Sequence, residues 1–329
     1  MPALLEVEQL AVEFDGDLGR LRAVDGLSFT VEAGETVGLV GESGCGKSVT
    51  ALSVMRLLPW PMGSIAGGRI RFEGRDLIGL EPSAMENIRG AEIGMVFQEP
   101  MTALNPVQTI GKQIGEALLL HYSLDQPQAL GRSLEILDRV GIPSPDLRLG
   151  EYPHQLSGGM RQRVVIAMAL VCNPRLLIAD EPTTALDVTI QAQILELISE
   201  LQRERGMAVM LITHDLGIIA DTCDRVLVMY AGKLVESGSV FEIFDRPAHP
   251  YTRGLLASIP RLDGKPKTRL NTIDGLVPAL AEMPAGCRFE NRCAYAESAC
   301  RATHPDSETV AAQHRVSCRR WRDIAAGGT

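Results

Sequence analysis

Thr36-Val-Gly-Leu-Val40-Gly41-Glu42-Ser43-Gly44-Cys45-Gly46-Lys47-Ser48-Val49 joins a short apolar run to a Gly-rich loop, and a helical pattern follows from Lys47 to Leu58. Strand, glycine loop and helix, in that order, are the setting a phosphate-binding loop requires. The glycines let backbone N–H groups converge on an anion, and the helix behind them turns its positive dipole end toward it. In such a loop Lys47 reaches the β- and γ-phosphates of a nucleotide, and the Ser48 hydroxyl is a ligand for Mg²⁺. The loop alone specifies a nucleotide and nothing finer, because several reaction classes share it.

Outward from this stretch, Leu4 to Val31 reads as short strands in alternation, with Phe14 and Phe29 among them, and Gly67–Asp76 as a strand with turns on each side. From about Gln98 to Val171 the pattern becomes helical. Ile110–Leu120 and Leu134–Val140 carry apolar residues at helical spacing, and the Pro-rich stretch at Ile142–Pro145 interrupts them. Arg175–Asp180 returns to strand, its Leu176, Leu177 and Ile178 contiguous and apolar as in a parallel sheet covered on both faces. An amphipathic helix follows, with Ile190, Ile194, Leu195, Ile198 and Leu201 on one face and Gly206 as its stop. Met207–Thr213 and Val226–Tyr230 supply two more strands. Alternating strands and helices predict an α/β fold with a mainly parallel sheet. Past about His249 the chain is rich in Pro, Gly and Arg and loses its period, which sets a boundary there.

Composition narrows the function. The 329 residues carry a net charge of −9 and only 4% aromatics, which argues against a general affinity for nucleic acid or for an anionic lipid surface. The start, MPALLEVEQL, lacks a basic segment followed by an apolar stretch, so no secretory signal is expected. The longest apolar runs, such as Val164–Cys172, fall short of the roughly 18 residues a spanning helix needs. The expectation is a soluble protein, or one peripheral to a membrane that other chains span.

Two further motifs carry chemistry. In Leu176-Leu-Ile-Ala-Asp180-Glu181 a carboxylate ends a buried apolar strand, where Asp180 can hold Mg²⁺ through water, and Glu181 can polarise an attacking water. Without the phosphate loop upstream, such a pair would read as the polar end of a strand. In Leu156-Ser157-Gly158-Gly159-Met160-Arg161-Gln162-Arg163 a Ser and two glycines precede a helical run, a second anion-binding helix start in one chain. Alone, it would read as a loop with a Ser cap.

Together these motifs resemble the ABC ATPases, whose signature is the LSGGM-R-Q-R stretch, and the resemblance spans about Leu4 to Cys318. It implies a P-loop NTPase of the ABC type, with a RecA-like parallel core, an antiparallel β subdomain and a helical subdomain. By the same resemblance Gln98, in Val96-Phe-Gln-Glu-Pro, is the Q-loop glutamine and a Mg²⁺ neighbour. Asp187, in Ala185-Leu-Asp, is the D-loop aspartate, and His214 is the switch histidine beside the γ-phosphate. Phe14 stands near the place of the aromatic that stacks on adenine, although a Phe in a strand is more often core. The D-loop has Thr where Ser often precedes Ala, a neutral change.

The stretches Phe97-Gln-Glu-Pro-Met-Thr-Ala-Leu-Asn-Pro106 and His249-Pro-Tyr-Thr-Arg-Gly-Leu-Leu are similar to the branch that powers oligopeptide, dipeptide and nickel importers. That resemblance implies an ATPase domain over 1–248, helical at about 98–171, and an extension over 249–329. It implies ATP-driven closure of two ATPase domains. The second domain would come from another copy or a different ATPase, with Ser157, Gly158 and Gly159 of one capping the ATP on Lys47 and Ser48 of the other. Two membrane-spanning permeases, an extracytoplasmic solute-binding protein and a place on the cytoplasmic face of the inner membrane belong to the same expectation. Peptides lead as the substrate and nickel follows. A DNA-repair ABC ATPase would need a long coiled coil between Ser48 and Ser157, a ribosomal one two cassettes in tandem, and a small-molecule kinase would lack the signature.

Four of the seven cysteines, Cys287, Cys293, Cys300 and Cys318, crowd into the tail, while Cys45, Cys172 and Cys223 are scattered. Unrelated thiols, a zinc site and an iron–sulfur site all accord with four thiols, and disulfides are the weaker reading in a reducing compartment. No C-x₂₋₄-C pair is present, the spacing usual for structural zinc. Resemblance to the peptide-importer branch implies a [4Fe–4S] cluster rather than zinc, in a structural role.

Overall fold

The computed structural model of the protein describes residues 3–16, 19–99, 103–183, 187–259 and 272–326. Pro100, Met101 and Thr102 of the Phe97–Pro106 stretch, and Thr184, Ala185 and Leu186 of the D-loop ahead of Asp187, lie outside the described residues. The strands are β1 (Leu5–Gly16), β2 (Gly19–Val31), β3 (Thr36–Val40), β4 (Gly63–Phe72), β5 (Arg75–Asp76) and β6 (Ile93–Val96). After them come β7 (Leu176–Asp180), β8 (Ala208–Thr213), β9 (Arg225–Tyr230), β10 (Lys233–Ser239), β11 (Glu308–Thr309) and β12 (Arg315–Val316).

The chain forms two compact units. The first comprises Asp76–Ile212 with Met1–Leu4 and Val31–Glu35. Its core is a parallel ladder in which β7 lies between β6 and β8, with Val96 opposite Ala179 and Asp180 opposite Ile212. Every residue of these three strands is buried, which is why they read as unbroken apolar runs rather than alternation. Parallel neighbours need long crossovers. Helices Ile110–His121, Gln126–Arg139 and Gly158–Leu170 lie between β6 and β7, and helix Val188–Arg205 between β7 and β8. That last helix stops at Gly206, whose φ of 62° is the left-handed cap conformation that glycine adopts without strain. Its buried side chains are Ile194, Leu197, Ile198 and Leu201; Leu195 is only half-buried and Leu197 takes the core position instead.

The second unit comprises Leu5–Thr30, Thr36–Arg75 and Thr213–Thr329. It holds a four-stranded sheet in the order β2-β1-β4-β5, in which β1 and β4 run antiparallel with Leu5 opposite Phe72. It also holds a mixed arrangement, in which β3 and β9 are parallel and β10 and β12 continue antiparallel from β9. Parallel strands, an antiparallel sheet and a helical stretch are therefore all present, as the α/β reading requires. Among the described residues, no helix is long and apolar enough to cross a membrane.

Several local readings change. Leu4 to Val31 forms two long strands rather than several short ones. The helix behind the glycine loop is Lys47–Val54, shorter than expected, and the helix Gln126–Arg139 begins well before Leu134, behind an Asp125 capping box. β10 is not legible in the sequence because Lys233-Leu-Val-Glu-Ser-Gly-Ser239 carries two charged residues and two serines. Its Glu236 is buried all the same, accepting from the backbone N–H groups of Ala248 at 2.6 Å and His249 at 2.9 Å and lying 2.7 Å from His314 Nε2. Helix Pro250–Ala257 follows, capped by His249, whose Nδ1 accepts from Tyr251 N–H at 3.1 Å. His is not among the usual cap residues, so the start signal in the sequence is Pro250 at the first helical position.

Candidate functional site

In the second unit the glycine loop has the shape its sequence predicts. Gly46 is left-handed at φ 104° and caps helix Lys47–Val54. The first hydrogen bond there runs from Thr50 N–H to Gly46 O at 2.9 Å, so Lys47, Ser48 and Val49 present N–H groups that the helix itself does not use. A Cβ at Gly41 would run into the carbonyl oxygen of Met229, so the loop and β9 meet backbone to backbone. Lys47 is buried, and its ammonium donates to the carbonyls of Gly41 at 2.8 Å and Glu42 at 3.1 Å. Its charge thus stays inside the loop, satisfied by loop carbonyls, where an incoming phosphate can take them over. Ser43 and Gly44 are exposed at the loop tip. Cys45 is buried, and burial raises its thiol pKa, so it is packing rather than a nucleophile. This cradle of amides around a lysine fits a nucleotide triphosphate, and the Ser48 hydroxyl supplies the hard oxygen that Mg²⁺ prefers.

Two contacts to this loop were not legible in the sequence. The Tyr251 hydroxyl accepts from Glu42 N–H at 2.8 Å, and Arg292 grips the Glu42 carboxylate at 2.6 and 3.0 Å. Both partners lie more than 200 residues from Glu42, at separations of 209 and 250. Phe14 is half-buried in β1 opposite Gly63 of β4, where its ring packs against the space a side chain would otherwise fill. His214 is exposed and directly follows β8.

In the first unit Asp180 ends β7 and is buried. The next residue, Glu181, has φ 47°, a left-handed backbone that is uncommon for a non-glycine residue. Its N–H donates to Ile212 O at 2.8 Å, which holds the turn in place. Such local strain persists where the surroundings impose it and gathers at functional sites. Gln98 is exposed, and its Nε2 donates to Glu181 Oε2 at 3.4 Å, so the structure brings these two predicted residues together.

Ser157 caps helix Gly158–Leu170, its hydroxyl accepting from Met160 N–H at 3.3 Å. The buried Gln162 donates to Pro182 O, tying the signature helix to the turn that carries Glu181. Arg163 reaches Val140 O and, at 2.7 Å, Gln193 of helix Val188–Arg205. Asp187 caps that helix by accepting from Ile190 N–H at 3.0 Å, so its carboxylate has a local duty besides the one expected from the sequence.

The four tail cysteines are half-buried free thiols lining one cavity, together with His249, Phe289, Arg319 and Arg320. Burial pushes the thiols of Cys287 and Cys318 up, to about 11 and about 12, and raises that of Cys293. Opposing this, the N–H groups of Phe289, Tyr295 and Arg320 donate to the sulfurs of Cys287, Cys293 and Cys318 respectively, in each case from two residues further on. Among the described residues, no group of three or more His, Cys, Asp or Glu side chains is placed to hold a metal ion.

Comparison with known proteins agrees with this architecture. Residues 24–184 match the ABC transporter family and residues 235–300 the oligopeptide/dipeptide transporter C-terminal region. The chain is 53% identical over 318 residues to the dipeptide transport ATP-binding protein DppD of Bacillus subtilis (strain 168), covering 97% of this chain and 95% of that protein. It is 54% identical over 293 residues to the oligopeptide transport ATP-binding protein OppD of the same strain, covering 89% and 82%. Among solved structures, the ATP-binding cassette MJ0796, as a dimer in a post-hydrolysis state bound to ADP and Pi, superposes with a TM-score of 0.65 at 26% identity, covering 72% of this chain and 98% of that one. With the glycine loop, the strand-end carboxylates and the capped signature helix all in place, the chain is an ABC ATPase and belongs to the ATP-binding proteins of the oligopeptide/dipeptide transporter branch.

Proposed function

We propose that this protein is the ATP-hydrolysing subunit of an importer of di- and oligopeptides, peripheral to the cytoplasmic face of the inner membrane. The observation that carries the reading is the match of residues 235–300 to the oligopeptide/dipeptide transporter C-terminal region, in a chain with an intact ATPase apparatus. The ATPase domain is assigned to 1–248, its helical part to about 98–171, and the extension to 249–329.

The reaction follows from the residues. Lys47 and the amides of Gly44 to Val49 bind the phosphates, which releases Lys47 from the carbonyls of Gly41 and Glu42. Ser48, Asp180 and Gln98 would hold Mg²⁺, which would supply neutralisation of phosphate charge. Gln98 orients the Glu181 carboxylate through their hydrogen bond. Glu181 takes the proton of a water whose oxygen attacks the γ-phosphorus, while the bond to ADP breaks. His214 steadies the γ-phosphate. Ser157, Gly158 and Gly159 of a second ATPase, the same chain or a different one, cap the nucleotide, so closure requires ATP. Asp187 lies along that contact, and Phe14 stacks on the adenine. Two permeases receive the motion and an extracytoplasmic solute-binding protein delivers the peptide; no nucleic acid is involved.

The tail cysteines are assigned to a structural [4Fe–4S] cluster. The preference over zinc rests on the missing C-x₂₋₄-C pair and on the resemblance to the peptide-importer branch. Cys287, Cys293, Cys300 and Cys318 would supply the four thiolates that such a cluster takes. Burial favours the protonated thiols, the N–H···S bonds oppose it in part, and the arginines of the cavity suit an anionic cluster.

Tagging the chain, extracting membranes in mild detergent and identifying its companions tests the transport reading. Two multi-spanning proteins with a solute-binding protein are expected. A chain that brings down no membrane protein overturns the importer and leaves the ATPase. Anaerobic protein should contain iron and acid-labile sulfide; stoichiometric zinc with no sulfide would overturn the cluster.

A further inference from the structure

Arg292 precedes Cys293, far along the chain from the glycine loop, yet its side chain is only 5% exposed and all of its donor directions are used. Nη1 donates to Glu42 Oε2 at 2.6 Å and to the Tyr230 hydroxyl at 3.3 Å. Nη2 donates to Glu42 Oε1 at 3.0 Å and to Ile273 O at 3.1 Å, and Nε to Asp274 O at 2.9 Å. The planar fork spans both carboxylate oxygens, a geometry lysine cannot copy. Beneath it the rings of Tyr230, Tyr251 and Phe289 pack with centroids 4.6 to 5.4 Å apart. Phe289 lines the cysteine cavity, and the Tyr251 hydroxyl holds the Glu42 backbone, so the packing is continuous from cavity to loop.

A carboxylate is an odd neighbour for a triphosphate. Glu42 sits in the loop that must gather phosphate charge, and uncompensated it would repel the nucleotide. We propose that Arg292 is a positioning residue for ATP binding: from the cysteine-bearing segment it neutralises Glu42 and holds the glycine loop in its phosphate-binding shape, so nucleotide affinity depends on the order of that segment. The proposal rests on the ATPase identity of the chain and does not require the cluster to be iron–sulfur.

The test is a titration of the full-length chain with a fluorescent ATP analogue, alongside its melting temperature. Arg292→Gln leaves a carboxylate unpaired beside the phosphates and should weaken binding roughly tenfold or more. The deficit should shrink with added salt, because screening weakens the repulsion. Arg292→Lys keeps the charge without the fork and should recover part of the affinity. In the Glu42→Gln background, adding Arg292→Gln should cost at most about threefold, since no carboxylate remains to be neutralised. Arg301→Gln, a surface change in the same segment, should match the parent. Parental affinity in a folded Arg292→Gln chain overturns the proposal, as does a loss that a parallel fall in melting temperature accounts for and that neither salt nor lysine relieves. If Arg292→Gln does not fold, Glu42→Gln/Arg292→Gln against Glu42→Gln decides. Equal affinity supports the charge role, and a further tenfold loss overturns it.

Discussion

Gln98 and Glu181 are joined by a hydrogen bond of 3.4 Å from the amide Nε2 to the carboxylate Oε2, although 83 residues separate them. The contact orients the proposed base, which already sits on a left-handed backbone at φ 47°. Glu181→Gln keeps the shape of this pair but cannot accept a proton. It should retain ATP binding, lower turnover by about 10²–10⁴-fold and accumulate as a closed dimer. Phosphate release and gel filtration with ATP check both parts; turnover at the parental rate would assign the base elsewhere.

Gly41→Ala tests the backbone contact between the glycine loop and β9. The added methyl meets the Met229 carbonyl, which cannot swing away as a side chain could. Overpacking of this kind costs about 1–3 kcal/mol, a fall of several degrees in melting temperature. ATP affinity should fall at least tenfold, because the loop must shift to relieve the contact.

The cysteine assignment predicts a selective loss. Cys318→Ser should remove iron and sulfide together and abolish the visible absorbance of the cluster. Cys172→Ser should leave all three as in the parent, since Cys172 is buried and does not line the tail cavity.

Stability should fall in acid because of His249. It is fully buried, and desolvation holds it down to about 4 despite the nearby Glu236 carboxylate. The unfolded chain takes up this proton near pH 6.5 and the native chain does not. The contribution of His249 is therefore present in full above about pH 6.5 and is lost as pH falls toward 4, up to roughly 3 kcal/mol. His249→Gln can still accept from Tyr251 N–H and does not titrate, so its melting temperature should fall less steeply between these values.

Local pattern was enough for much of the fold. Leu176-Leu-Ile-Ala-Asp180 reads as a buried strand because every residue in it is buried, and Gly206 reads as a helix stop because its backbone is left-handed. β10 escaped because Glu236 looks like a surface residue until the backbone of Ala248 and His249 is folded against it. Helix Pro250–Ala257 escaped because a histidine caps it and Pro250, a helix-start residue, reads equally as a breaker.

The same division holds for the site. Short-range chemistry is written in the chain itself: a phosphate loop needs glycines at set spacing and a helix behind them, and Gly41 to Ser48 meets that need before any tertiary contact forms. The order of motifs from Lys47 to His214 likewise marks the family without coordinates. Tertiary structure alone decided which distant groups serve that loop. Arg292 and Tyr251 reach Glu42 only after more than 200 intervening residues have packed, and Gln98 meets Glu181 only once β6 lies beside β7. Such contacts depend on long-range packing and leave no periodic trace in sequence, because hydrogen bonds are made in space and periodicity reports only neighbours along one helix or strand.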